Sequence, residues 1–468
     1  MSTQVGHLRP NSLEARDAAF HLHPYTNAAL HEKEGPLVIV GGDGVHVIDA
    51  SGRRYIEGLA GLFCASLGFS EKRLAAAASR QMATMPFYHA FGHKTTEPSA
   101  LLAERLIALA PVPMSKVFFA NSGSEANDTA IKLIWYYNNA LGRPRKKKII
   151  SRWRAYHGVT VATASLTGLP NNHRDFDLPI SGIFHLMCPH FYRHGEPGET
   201  EEEFASRCAA ELEALIEREG ADTIAAFFAE PVMVSGGVVT PPRTYFDKIQ
   251  PILKRHDILF VADEVICGFG RTGHMFGVET YGLEPDMITV AKQLSAAYLP
   301  ISALMINEKV YRAIVAESEK IGSFAHGFTY SGHPAAAAVA LEALNIYDER
   351  DIVGHVRRVA PRFQAHVQRL AGHPLVGEAR GVGLVAGLEV SPDKANRALF
   401  DPSLAIAADV ARRAQAHGVI TRGIGDTVSL CPPLIIDEPL IDELMARIER
   451  ALDDTYAWAN AEGLMRRE

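Results

Sequence analysis

Cysteine is scarce in this chain: five of 468 residues, Cys64, Cys188, Cys208, Cys267 and Cys431, odd in number and far apart. That excludes a disulfide framework and a zinc ribbon, both of which need cysteines in pairs. Excess positive charge is lacking too. Forty-seven Lys and Arg face 54 Asp and Glu, a formal charge of -7, so no basic field draws the chain to nucleic acid. No stretch reaches the roughly 18 consecutive apolar residues of a membrane helix, so no membrane partner is expected. Residues 1–20 lack an apolar leader core and carry Glu14 and Asp17, which argues against a secretory or organellar signal. A reducing, cytoplasmic setting is the expectation.

What is present is globular composition, 47% hydrophobic and 22% charged, which rules out collagen-like and disordered chains. The length suits a large domain with a smaller one and a core able to keep water out of a cleft. The first 60 or so residues read as short strands and turns, with Gly-Asp-Gly and Ser-Gly breaking alternating apolar positions. From Glu71 to Tyr347, apolar strands alternate with helical stretches. The strand candidates 116–120, 148–151, 223–230, 258–265 and 287–292 are continuous apolar runs, as strands covered on both faces should be. An α/β fold with a mostly parallel sheet wrapped by helices follows. The last 120 residues, including KANRALF and LIDELMARIERALDDTYAWA read as helices beside the strand GVGLVAGLEV, are expected to join the N-terminal strands. The division is 1–70 for an N-terminal segment of the small domain, 71–345 for the large domain and 346–468 for the rest of the small one.

Ligands of open parallel sheets bind beyond the carboxyl ends of the strands. Three such ends carry chemistry. After KVFFA comes Asn121-Ser122-Gly123-Ser124-Glu125-Ala126-Asn127-Asp128 leading into a helix, a pattern that suits a phosphate at free backbone N–H groups and equally suits an ordinary Ser cap. ILFVADEV ends in Asp263-Glu264; an acid on a buried strand tip needs a cationic partner, or serves as a cap or structural ion pair. MITVAK ends in Lys292, where shielding from water lowers an amine's pKa and makes it nucleophilic. A phosphate cradle, a carboxylate and an amine together are what pyridoxal 5'-phosphate (PLP) requires.

Residues 121–128, Tyr156-His157-Gly158, Asp263-Glu264-Val265, Ala291-Lys292 and His326-Gly327-Phe328-Thr329-Tyr330-Ser331-Gly332-His333-Pro334 resemble class III, fold-type I PLP-dependent aminotransferases over almost the whole chain. WYYNNALGRP, ASLTGLP, CPHFYRHGEPGETEEEF and DEVICGFGRTG resemble pyruvate-dependent plant-type GABA transaminases and bacterial ω-amine:pyruvate transaminases. The resemblance implies that Lys292 holds PLP and moves protons, that Asp263 pairs with the pyridine nitrogen, and that Tyr156 and Val265 cover the two ring faces. Ser122, Gly123 and Ser124 are then the phosphate residues, with Thr329 reaching in from a second subunit of a homodimer, or of a tetramer built from two dimers. His157, Glu230 and Phe328 belong to the implied cofactor set. Arg422 resembles the mobile arginine that forks onto pyruvate's carboxylate and swings aside for an amine, with a surface arginine as the plainer reading. An arginine at Arg380 is expected to pair with Glu230. Phe63 stands where the family commonly has tryptophan, and Gln293 where Gly or Ala is usual; the first widens the amine pocket, the second bears on its floor.

Other patterns are decoys. Gly268-Phe269-Gly270-Arg271-Thr272-Gly273 matches a dinucleotide fingerprint, but no good helix start follows and the acid expected about 20 residues on is missing. His89 and His93 could share a helix face, yet lack a third ligand, so packing or pocket lining is preferred and no metal set is read. His185, His190 and His194 read as structural residues in a loop. The expected reaction takes the amino group of a primary amine or ω-amino acid to pyruvate, giving alanine and an aldehyde. A different oxo acid such as 2-oxoglutarate is the alternative acceptor, and a PLP-free dimer the remote one.

Overall fold

The computed structural model describes residues 8–466. Its strands, in chain order, fall into three groups. Three short ones open the chain: β1 Ile39–Asp43, β2 His46–Asp49 and β3 Arg54–Glu57. Seven follow: β4 Lys116–Ala120, β5 Lys148–Arg152, β6 Ile183–Leu186, β7 Ile224–Ala229, β8 Leu259–Asp263, β9 Met287–Val290 and β10 Ser302–Ile306. Five close it: β11 Val376–Val382, β12 Val385–Val390, β13 Val419–Ile420, β14 Arg422–Ile424 and β15 Thr427–Leu430.

The seven middle strands make one sheet in the order β4-β10-β9-β8-β7-β5-β6. Pairing is parallel from β9 through β8, β7 and β5 to β6, and antiparallel where β10 meets β9 and β4. Every residue of β7, β8, β9 and β10 is buried, so both faces of the sheet are covered by helices and a continuous apolar run is the affordable sequence. The helix Gly123–Ala140 lies on one face, burying Ala130, Ile131 and Ile134 against Ala226, Phe228 and Val261. The sheet therefore matches the expected α/β fold, with β10 as its antiparallel member. Two strands escaped the reading: β6 holds a histidine inside a short run, and SALMI follows a turn without a long apolar stretch.

The smaller sheets join the two chain ends. β13 pairs in parallel with β3, Val419 opposite Ile56, and extends the order β1-β2-β3. The other sheet runs β11-β12-β15-β14. Two local expectations fail. Before β1 the chain forms two short helices, Leu13–Phe20 and Ala28–Glu34, each started by a side-chain cap, Ser12 accepting from Ala15 N and Asn27 from Leu30 N. KANRALF is a turn, not a helix: Asp393 accepts from Asn396 N at 3.1 Å and Ser391 Oγ donates to Ala398 O at 2.8 Å, which close the segment on itself.

Candidate active site

Because β4 is antiparallel to β10, and β10 to β9, strand β4 runs with the parallel set. The carboxyl ends of β4, β5, β7, β8 and β9 all open on one side of the sheet. There they deliver Gly123, Tyr156, Glu230, Asp263 and Lys292 to a cavity of about 750 Å³, with Ser122 just outside its lining. Gly123, Ser124, Tyr156, His157, Glu230, Asp263, Val265, Lys292, Phe63 and Arg422 line it. The volume is in the range of a cofactor with its substrate.

Asp263 ends β8 and is 3% exposed. Its Oδ2 accepts from Asn127 Nδ2 at 2.7 Å and lies 2.8 Å from His157 Nδ1, while Oδ1 accepts from Val265 N at 3.0 Å. Three neighbours thus fix the orientation of this one carboxylate. Among the described residues no Lys or Arg forms an ion pair with it. Glu264, next in the chain, has the other role that the sequence allowed: its oxygens accept from Gly277 N at 2.9 Å and Val278 N at 2.6 Å, capping a short helix.

Lys292 lies two residues past the end of β9, opening a tight turn with φ +45°. Such a backbone is strained for a residue with a Cβ, by about 1–3 kcal/mol, and the turn aims the amine back toward the sheet end. Burial lowers its pKa; Asp263 and Glu230 are among the groups that oppose the shift. No carboxylate lies within ion-pair distance of Nζ among the described residues, and Nζ stands 5.6 Å from the centre of the Phe63 ring. The nucleophilic amine expected here is thus geometrically available.

Ser122 caps the helix Gly123–Ala140, its Oγ accepting from Glu125 N at 3.2 Å, so the plain cap reading of this serine holds. The cap also leaves the N–H groups of Gly123 and Ser124 without intrahelical partners at the positive end of the helix dipole. A Cβ on Gly123 would come within 3.0 Å of Val265 Cγ2, and one on Gly158 within 2.6 Å of Ser124 Oγ, so both glycines permit close approach of β8 and the β5 loop to the helix start. Ser124 Oγ accepts from Val159 N at 3.2 Å. These features fit PLP: a helix start free to hold a phosphate, a buried acid with no Lys or Arg ion pair among the described residues, and a half-buried amine without a carboxylate partner among them.

Glu230, 4% exposed, accepts from Tyr156 N at 3.0 Å and is pushed up to about 7 by burial. Its expected partner is elsewhere. Arg380 donates to Glu389 Oε2 at 2.6 Å, to Gly237 O at 2.6 Å, to Val238 O at 3.0 Å and to Thr427 Oγ1 at 3.0 Å, and it also pairs with Glu378. The Arg380–Glu230 pair is therefore corrected: two other carboxylates satisfy the guanidinium, and these contacts pin the β14–β15 hairpin to the loop at 237–238. Against their cost of burial, Arg380, His190 and Arg193 hold Glu389 down to about 2.

Arg422, on β14, stands with its guanidinium 5.9 Å from the centre of the Tyr25 ring, and no ion pair holds it among the described residues. Tyr25 lines the cavity from the N-terminal segment, its ring centre 6.5 Å from that of Tyr156 and its hydroxyl accepting from Asn172 Nδ2 at 2.6 Å. Phe328 and Thr329 do not line the cavity within this chain. Phe328 meets Phe118 edge-on, and Thr329 is exposed. Gln293 is not in the cavity wall; its Nε2 donates to Ile266 O at 2.6 Å behind it, which corrects its expected place at the pocket floor. His89 and His93 lie in a loop, not on one helix face. Nor do the other three histidines share a loop. His185 is in β6, where its ring stacks on Trp153; His190 joins the Glu378 and Glu389 network; His194 ends a short helix. Residues 268–273 form turns with no helix starting at Gly273.

Sequence reasoning missed Asn127, Tyr25 and Arg154. Asn127 stands in the quoted motif, and its donation to both Asp263 and His157 O at 2.9 Å depends on a contact 136 residues away. Tyr25 is exposed and lies in a segment taken for turns. Arg154 lines the cavity with Nε donating to Gly236 O at 2.9 Å.

Residues 28–452 match the family model described as aminotransferase class-III. The chain is 51% identical over 435 residues to gamma aminobutyrate transaminase 1, mitochondrial, of Solanum lycopersicum, covering 93% of this chain and 84% of that one. It is 49% identical to the vanillin aminotransferase of Capsicum frutescens, covering 93% and 95%. Among solved structures it is similar to the omega transaminase of Pseudomonas jessenii in complex with PMP, at 53% identity and a TM-score of 0.94, covering 96% of this chain and 99% of that one.

Proposed function

The chain belongs to the class III aminotransferase family, whose members use PLP, and we propose that it carries the amino group of a primary amine or ω-amino acid to pyruvate, giving alanine and an aldehyde. GABA, β-alanine, a polyamine or another terminal amine are the donors in this reading. One observation carries it: the Lys292 amine and the Asp263 carboxylate, on adjacent strand ends, line the cavity that also holds the unpaired Arg422 guanidinium. The names gamma aminobutyrate transaminase and omega transaminase, carried by relatives, support this donor class.

When bound, PLP supplies an aldehyde that exchanges with the substrate amine and a ring that withdraws electrons from the substrate carbon. Asp263, held in place by Asn127, His157 and the Val265 N–H, would keep a proton at the pyridine nitrogen. Ser122, Gly123 and Ser124 bind the phosphate at the helix start, and Tyr156 and Val265 confine the ring. Lys292 Nζ would hold the cofactor and, once the substrate amine has displaced it, would take the proton from the substrate carbon and return it. Positioned proton transfer of this kind contributes about 10²–10⁴-fold. Arg422 clamps the acceptor carboxylate with two parallel hydrogen bonds and moves toward Tyr25 when the donor has none. Phe63 bounds the amine side.

The same reading makes the enzyme a cytoplasmic homodimer in which Thr329 and Phe328 complete the partner's site. Supporting it are the exposure of Thr329 and of the large apolar side chains Leu62, Phe91 and Tyr330. Five free cysteines suit a reducing compartment. The three sheets support the division at residues 70 and 345. A panel of amines with pyruvate or 2-oxoglutarate tests the reaction. Alanine formation from terminal amines is expected, and faster glutamate formation would overturn the assignment of pyruvate.

A further inference from the structure

The helices Leu13–Phe20 and Ala28–Glu34 bury no residue, yet the segment that contains them ends its loop on the cavity. Phe20 is 90% and Leu22 83% exposed, so these two apolar side chains do not pack the helices together within one chain. What joins them is one carboxylate surrounded by imidazoles. Asp17 Oδ1 lies 3.0 Å from His21 Nδ1, and Oδ2 lies 2.7 Å from His23 Nε2 and 3.0 Å from His31 Nε2. The ring centres of His21 and His23 are 4.4 Å apart and those of His23 and His31 4.1 Å.

We propose that Asp17, His21, His23 and His31 form a binding site for a divalent transition-metal ion of the zinc type, which fastens the N-terminal helices and the Tyr25 loop between them. Ligand atoms of Asp17, His21 and His23 all lie within 4.8 Å of one another. A tetrahedral set with zinc–nitrogen and zinc–oxygen bonds of about 2.0–2.2 Å places its ligand atoms roughly 3.3 Å apart, so changes in separation of at most about 1.5 Å, within the reach of side-chain rotation, admit an ion. His31, on the second helix, reaches the same Oδ2, either as fourth ligand or by holding the carboxylate that ligates. A cavity of about 250 Å³ lined by His21, His23, His31 and Glu32 adjoins the cluster and leaves room for the ion and its water. Neutral imidazoles bind through these nitrogens by shifting the ring proton to the other nitrogen, so three hydrogen bonds are exchanged for three metal bonds with no net proton released from them.

The second cluster of histidine and carboxylates in the fold makes a useful contrast. His190, Glu378 and Glu389 also lie within ligand distance, but Arg380 and Arg193 already donate to these carboxylates, and two guanidinium charges repel a cation. No arginine or lysine forms an ion pair with Asp17 among the described residues. Position supplies a consequence. Tyr25 lies two residues after His23 and six before His31, and its ring and hydroxyl meet Tyr156, Arg422 and Asn172. An ion bound across the two helices fixes that loop at the cavity mouth.

Tag-free, PLP-loaded enzyme stripped with EDTA and desalted is titrated with Zn²⁺ under equilibrium dialysis and with Co²⁺ by visible absorption. One saturable Zn²⁺ per chain and the intense bands of tetrahedral, imidazole-bound Co²⁺ are expected. His21→Gln and His23→Gln should each weaken Zn²⁺ about tenfold or more, with His93→Gln as unchanged control and the PLP absorption showing that the fold persists. Zinc should also slow proteolysis within residues 8–36 of the unaltered enzyme. Absence of saturable binding, a weak octahedral cobalt spectrum, or equal affinity in the His21→Gln/His23→Gln double variant would overturn the site. None of these readouts depends on transamination, so they stand apart from the proposed reaction.

Discussion

Asn127 Nδ2 and Asp263 Oδ2 lie 2.7 Å apart, a hydrogen bond across 136 residues that ties the helix carrying the phosphate-type start to the strand carrying the acid. The same amide donates to His157 O at 2.9 Å, so one side chain registers three elements of the site. A donor to a charged acceptor is worth about 1.5–3 kcal/mol. Asn127→Leu is expected to weaken PLP binding about 10–100-fold, read by titrating apoenzyme with PLP and following its absorbance. Unchanged affinity would show that Asp263 is held without Asn127.

Lys292→Ala removes the only group assigned to both attachment and proton transfer. Turnover should fall to background, about 10⁴-fold or more, while PLP still binds through the helix start and Asp263. Borohydride reduction followed by peptide mapping should label residue 292 in the unaltered enzyme and nothing in the variant. A reduced adduct at another lysine contradicts the assignment.

Arg422→Ala should raise the pyruvate KM about tenfold or more and leave the KM of a carboxylate-free amine within twofold, because a bidentate clamp acts only on the carboxylate. Equal changes in both constants would place Arg422 in the general architecture of the hairpin.

Arg380→Met tests the hairpin itself. It leaves Glu389 buried without its main cation, and breaking such a pair costs about 3–5 kcal/mol, so thermal unfolding should shift down by several degrees. Release of Thr427 and of the 237–238 loop should also raise the pyruvate KM through displacement of Arg422. A lower melting temperature with unchanged KM separates stability from positioning.

Glu57, 5% exposed and accepting from Leu59 N at 2.9 Å, is pushed up to about 7 by burial. In the folded chain it keeps its proton to about that pH, whereas the unfolded chain loses it near the ordinary value for glutamate of about 4.3. The folded state therefore holds the extra proton between those values, and stability falls as pH rises through this window. Glu57→Gln removes that loss, which amounts to at most about 4 kcal/mol. Urea unfolding at pH 5 and pH 8 should show the variant gaining on the parent at the higher pH. Parallel curves for the two proteins would assign Glu57 an ordinary titration.

Much of the architecture is legible because burial on both faces forces continuous apolar runs: β4, β5, β7, β8 and β9 each begin within a residue of the stretch that hydrophobicity marks. Asp263 and Lys292 are legible for the same reason, being polar residues where such runs stop. β6 is interrupted by His185 and β10 opens with a serine after a turn, so their identity comes from neighbours that complete their hydrogen bonds. The helices before β1 bury nothing, and only their caps at Ser12 and Asn27 announce them.

The pairing of charges divides differently. That an acid, an amine and a small-residue helix start stand at strand ends is written into local order, since each depends on its own strand and turn. Which acid faces the cavity, Asp263 or Glu264, and which carboxylate takes Arg380, Glu389 or Glu230, depends on alternation along a strand and on register between β11, β12 and β15. Those are contacts between distant segments, and the energy of a buried charge is set by what the packed fold brings beside it.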